Sequence, residues 1–222
     1  MRSRIKSRLL AAVLGGALPL LHLAVPACSQ ARAATSGLDA RISLRMVRQP
    51  VAAVLADVSR QTGLRFDVSP ESKGCRMSAL LRDINVREFL QILQVTHWLS
   101  CQREDARSPF SCSASAERTA CPRTSPARPA SGTCRPAAGK GLSLECRDGP
   151  MSKFAELVFD RTDANILLMG GADEYPVNVQ LVDATLDKAM RFGPLGLPKA
   201  LTYQRIGRSK TYVFSVRKRA GE

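Results

Sequence analysis

Histidine is nearly absent from this 222-residue chain: His22 lies in the N-terminal apolar run and His97 stands alone after it. A zinc site built on several histidines and a Ser/Cys-His-Asp triad with a helping histidine are therefore excluded, and His97 reads as a packing or surface residue. Aromatic residues make up 5% of the chain, with one Trp and three Tyr. That is too few for a platform on which nucleic-acid bases stack. No two cysteines have the C-x-x-C spacing that lowers a thiol pKa in oxidoreductases. The glycines near Gly170-Gly171 and Gly193 lack the Lys-Ser/Thr spacing of a phosphate loop and read as turns. Asp57, Asp83, Asp160 and Asp183 are spread over caps and helix faces, without the spacing of paired catalytic carboxylates. No enzyme, no cofactor, no metal and no small-molecule substrate is expected.

What the chain has is a duplication. Ile42-Ser43-Leu44, Pro50, Thr62 and Asp83 return one hundred residues later as Leu142-Ser143-Leu144, Pro150, Thr162 and Asp183. The period is far longer than that of a solenoid repeat, so each copy can be a folded unit.

Arg2, Arg4, Lys6 and Arg8 precede an apolar run from Leu9 to Ala27, and Ala31-Arg32-Ala33 follows. This pattern predicts a secretory signal peptide over residues 1–33. A lipobox ending at Cys28 is a weaker reading, because Pro26 fits it poorly, and would make Cys28 a lipidation site. Cleavage after Ala33 removes five basic residues and no acid, so the formal charge falls from +14 to +9. It also leaves six cysteines, Cys75, Cys101, Cys112, Cys121, Cys134 and Cys146, in an oxidising compartment where disulfides are the default. The remaining positive charge reads as a solvated arginine-rich surface rather than a nucleic-acid stripe.

In the first copy Ile42 to Met46 alternates like a half-buried strand, and Pro50 suits the first turn of a helix. Val51, Val54, Leu55 and Val58 then form one apolar helix face, which Gly63 terminates. Leu64 to Val68 and Cys75 to Leu81 read as strands. Asn85, with Glu88 three residues on, reads as the cap of a second helix carrying Val86, Phe89, Leu90 and Leu93. Strands near 98–103 and 109–113 form a hairpin that places Cys101 opposite Cys112; a Cys75–Cys101 bridge is the alternative.

The second copy repeats this order: strand 142–146, helix face Met151, Phe154, Ala155 and Val158, strands 165–169 and 175–181. Thr185 stands where Asn85 was, ahead of a helix cut short by Gly193 and Pro194, and strands 201–205 and 211–216 follow. The expectation is an α+β fold of two tandem small domains, each about βαββαββ, at 42–114 and 142–218. Residues 115–141, rich in Pro, Ala, Ser and Arg, read as a linker stapled through Cys121 and Cys134. Copies of roughly 75 residues have small cores, so bridges or contact between the copies should contribute stability.

The set Ile42-Ser43-Leu44, Pro50 to Leu55, Gln61 to Phe66 and Asn85 to Leu93 resembles the secretin and TonB short N-terminal (STN) domain. The resemblance covers the first copy and, more faintly, the second, which lacks the glycine of Thr62-Gly63. It implies a periplasmic module that binds other proteins of an outer-membrane secretin or TonB-dependent receptor complex, with peripheral association with the outer membrane at most. Only Arg217 to Glu222 follow Val216, so the modules are expected to act without a barrel of their own, as an accessory or adaptor in secretion, pilus assembly or transport. The partner-binding residues are unknown at this level. The alternatives are a module that captures an anti-sigma regulator, a lipoprotein pilot held at Cys28, and a basic binder of anionic polymer; nucleic acid is not an expected partner.

Overall fold

A computed structural model describes residues 37–96, 98–114, 129–192, 201–206 and 209–216. His97, Cys28, Cys121 and the signal peptide expected over residues 1–33 lie outside them. In chain order the elements of the first copy are β1 (Arg41–Pro50), α1 (Val51–Thr62), β2 (Phe66–Val68), α2 (Pro70–Lys73), β3 (Arg76–Asn85), α3 (Val86–Val95), β4 (Leu99–Gln102) and β5 (Phe110–Ala114). After β6 (Thr133–Pro136) the second copy gives β7 (Leu142–Pro150), α4 (Met151–Arg161), β8 (Asn165–Met169), β9 (Pro176–Ala184), α5 (Leu186–Phe192), β10 (Leu201–Ile206) and β11 (Thr211–Val216). The fold is α+β, and a short 3₁₀ turn at Ala172–Glu174 stands where the first copy has α2.

The residues that repeat at a separation of one hundred hold equivalent joints. The Thr62 and Thr162 hydroxyls donate to the carbonyls of Val58 and Val158 and accept the amides of Leu64 and Ala164, closing α1 and α4. Ser43 and Ser143 accept the amides of Asp83 and Asp183. Those two aspartates have φ of 50° and 48°, and Arg48 and Asp148 have φ of 54° and 52°. At all four the β1–β3 and β7–β9 ladders slip register, so each copy carries the same pair of bulges.

Helix ends follow local chemistry. Gly63 adopts φ 73° and its amide reaches the Ser59 carbonyl. The Asn85 side chain accepts the Glu88 amide at 2.7 Å and starts α3. Pro50 and Pro150 sit one residue outside the helices, as N-caps with extended ψ, rather than in the first turn. The amides of Val51 and Met151 donate to the carbonyls of Cys75 and Tyr175.

Three sheets result, ordered β1-β3-β8-β11-β10, β2-β5-β4 and β6-β7-β9. The five-stranded sheet takes β1 and β3 from the first copy and β8, β11 and β10 from the second, through antiparallel pairing of β3 with β8 over Met77↔Met169 to Leu80↔Ile166. The two copies thus share a sheet, and the described residues fall within one compact unit.

The central strands of the shared sheet are buried on both faces. Along β8, Leu167 and Met169 pack in the first copy's core, and Ile166 and Leu168 in the second's. Along β3, Met77, Ala79 and Leu81 face the first core and Leu80 the second. Val213 of β11 faces the first, whereas Tyr212, Phe214 and Val216 face the second. Period-two alternation thus sends one strand's side chains into two cores. The sheet β2-β5-β4 closes the first core through Leu99, Phe110 and Cys112, and β7-β9 closes the second through Leu144, Val177 and Leu181.

The 115–141 segment is not linker throughout. Thr133–Pro136 is strand β6, paired antiparallel with β7. Its approach depends on Gly149, where a Cβ would stand 2.6 Å from the Cys134 sulfur and 2.7 Å from the Thr133 carbonyl carbon.

Candidate interaction surface

Two bridges fix strand pairs. Cys101 and Cys112 face each other on β4 and β5 and are bonded, with Cα atoms 4.1 Å apart. Cys134 and Cys146 face each other on β6 and β7 and are bonded, with Cα atoms 4.0 Å apart. The second bridge ties the 115–141 segment at Cys134 to β7, along which β6 lies in register. The alternative bridge from Cys75 to Cys101 is corrected, since Cys101 is taken by Cys112. Cys75, buried beside α2, is also disulfide-bonded. These bridges fit an oxidising extracytoplasmic compartment. Removing one pair, as Cys134→Ser with Cys146→Ser, is expected to cost about 3 kcal/mol for a loop of this length. Urea midpoints measured under non-reducing conditions check it.

The seam between the copies carries ion pairs, hydrogen bonds and a cation–π contact. The Arg45 guanidinium forks onto both Asp160 oxygens, at 2.6 and 3.0 Å. Arg48 reaches Asp173 at 3.1 Å and also bonds Glu174. Arg82 uses all its parts: its amide donates to the Asn165 side chain, its guanidinium donates to the Thr162 carbonyl, and the same group lies 3.9 Å from the centre of the Phe159 ring. Ser209 bonds Glu88, and Thr96 reaches the Met169 sulfur at 3.7 Å. In the ion pairs of this seam the first copy supplies the guanidinium groups, and the second supplies the carboxylates and the ring under Arg82.

Two carboxyls in this seam shift in opposite directions. The hydrogen-bonded Arg45 holds Asp160 below the usual carboxylate range. That contribution is complete above the unfolded aspartate range and is lost as pH falls through the folded value. Burial pushes Asp173 up, partly offset by its backbone hydrogen bond and Arg48. It therefore opposes folding as pH rises past the unfolded range.

Edges remain at the outside. Among the described strands β1 and β10 bound the shared sheet, β2 and β4 bound the second, and β6 and β9 bound the third. A shallow recess of about 380 Å³ runs between α3 and the β4–β5 hairpin, lined by Leu38, Arg87, Leu90, Gln94, Cys101 and Phe110. Val95 at the end of α3 is 51% exposed. Among the described residues no three His, Cys, Asp or Glu converge as metal ligands, and no helix is long and apolar enough to cross a membrane.

Sequence reasoning singles out the cysteines as site residues and misses Arg45, Arg48, Arg82, Phe159 and Asp160. One signal points to them. Ile166-Leu167-Leu168-Met169 is a continuous apolar run where the first copy alternates Phe66-Asp67-Val68, and such a run marks a strand covered on both faces.

No family model, curated protein or solved structure matches this chain.

Proposed function

We propose that the protein is a periplasmic protein–protein interaction module, an accessory or adaptor of an outer-membrane secretin or TonB-dependent complex. The observation that carries this reading is the β3–β8 joint. Here one βαββαββ module recognises another by adding a strand to its sheet, and side chains around the strand fix the match. A module that docks onto its own duplicate in this way has the physical means to dock onto related modules of a larger complex.

Both copies share one element order, βαββαββ with α2 or its 3₁₀ counterpart added between the second and third strands. The described pockets are shallow and mixed in lining, which suits a peptide or protein surface better than an enclosed small-molecule site. Much of the arginine is also committed: Arg41, Arg45, Arg48, Arg60, Arg87, Arg135 and Arg147 all form ion pairs within the chain. That pattern favours a structural use of the positive charge over anionic-polymer binding.

Affinity capture of the tagged protein from crosslinked envelopes of its host, followed by mass spectrometry, tests the reading. Enrichment of a secretin or TonB-dependent receptor is the expected result. Recovery of anti-sigma regulators, or of no envelope protein, contradicts it.

A further inference from the structure

The joint between the copies is heterologous: the first copy offers the β1–β3 side and the second offers the β8, α4 and 3₁₀-turn side. Each copy owns both sides, so among the described residues two remain without a partner copy. One is the β7–β9 side of the second copy, the other the β2, α1 and α2 side of the first. Among the described strands β9 pairs with β7 alone and β2 with β5 alone.

Charges at the equivalent positions are complementary again, with both signs reversed. Where the internal joint places Arg45 against Asp160, the ends present Glu145 and Arg60. Where it places Arg48 against Asp173, they present Asp148 and Lys73. Reversal on one side alone would give repulsion; reversal on both preserves attraction between the ends. It also makes either end a poor competitor for the internal joint, because Arg45 and Arg48 would meet Arg60 and Lys73.

We propose that the protein associates head to tail with further copies of itself, β9 of one chain pairing antiparallel with β2 of the next, Glu145 and Asp148 facing Arg60 and Lys73. The internal register carries over as Val177 opposite Ser69 and Gln180 opposite Phe66. Glu145 already holds Arg135 and Arg147, Asp148 accepts Ser131, and Arg60 bonds Asp57. The outer joint therefore joins existing ion pairs into networks. Its core is polar, with Gln180 and Asp67 where the internal joint has Leu80 and Leu167. Contact between chains is accordingly reversible and salt-sensitive, unlike the apolar internal joint.

Sedimentation equilibrium of the purified, disulfide-intact protein tests this without any envelope partner, so its outcome is separate from that of the capture experiment. The expected mass rises above one chain with concentration and returns toward one chain as salt is raised. Lys73→Glu with Arg60→Glu abolishes the association. Lys73→Glu alone weakens it, and adding Asp148→Arg to that variant restores it. Arginine is tolerated at that backbone geometry, since Arg48 has the same positive φ in the first copy. Far-UV circular dichroism confirms that each variant folds. A single-chain mass at every concentration, or association indifferent to salt and to Lys73→Glu, overturns the proposal.

Discussion

Phe154→Ala is expected to destabilise the whole protein by about 3–5 kcal/mol, the usual cost of emptying a buried phenylalanine site. Phe154 is fully buried on α4, in the second copy's core, and is not a member of the first. The chain's only tryptophan, Trp98, lies buried in the first core. Were the copies independent, Trp98 fluorescence would not register the substitution. Because Leu80 of β3 is itself part of the second core, loosening that core loosens the strand on which the first core rests. The Trp98 urea midpoint should therefore fall together with that of the far-UV signal. An unchanged Trp98 midpoint would show that the halves unfold separately.

Leu167→Ala should cost about 2–5 kcal/mol for a related reason. Leu167 belongs to the second copy by sequence and to the first copy's core by packing, fully buried on β8. Its counterpart one hundred residues earlier is Asp67, exposed on the edge strand β2. Asp67→Ala should change stability by no more than about 0.5 kcal/mol. The same repeat position thus gives a large effect in one copy and almost none in the other. Thermal or urea unfolding of the two variants side by side checks the contrast; equal effects would mean that β8 does not bury its outer face.

Local chemistry makes the helices legible in the sequence. Val51, Val54, Leu55 and Val58, and likewise Val86, Phe89 and Leu93, are buried where the helical period places them. Asn85 and Gly63 begin and end helices through hydrogen bonds spanning three or four residues, which a sequence reading can anticipate. The β3–β8 joint is not legible, because Met77 and Met169 lie ninety-two residues apart and no local rule links them. Strand β6 escapes notice for a different reason. Thr133-Cys134-Arg135-Pro136 offers one buried side chain, Cys134, and ends in a proline, so its place depends on the bridge and on the bare backbone at Gly149. The seam ion pairs are hidden for the same reason as the joint that they surround.

Hydrogen exchange at the backbone amides of β3 and β8 tests most directly whether the two copies form one body. The pairing over Met77–Leu80 and Ile166–Met169 predicts that the amides bonded across this joint exchange only through global unfolding, at a free energy matching that of the core helices α1 and α4. Rapid exchange at those amides, with α1 and α4 still protected, would contradict the shared sheet and leave two separately folded modules.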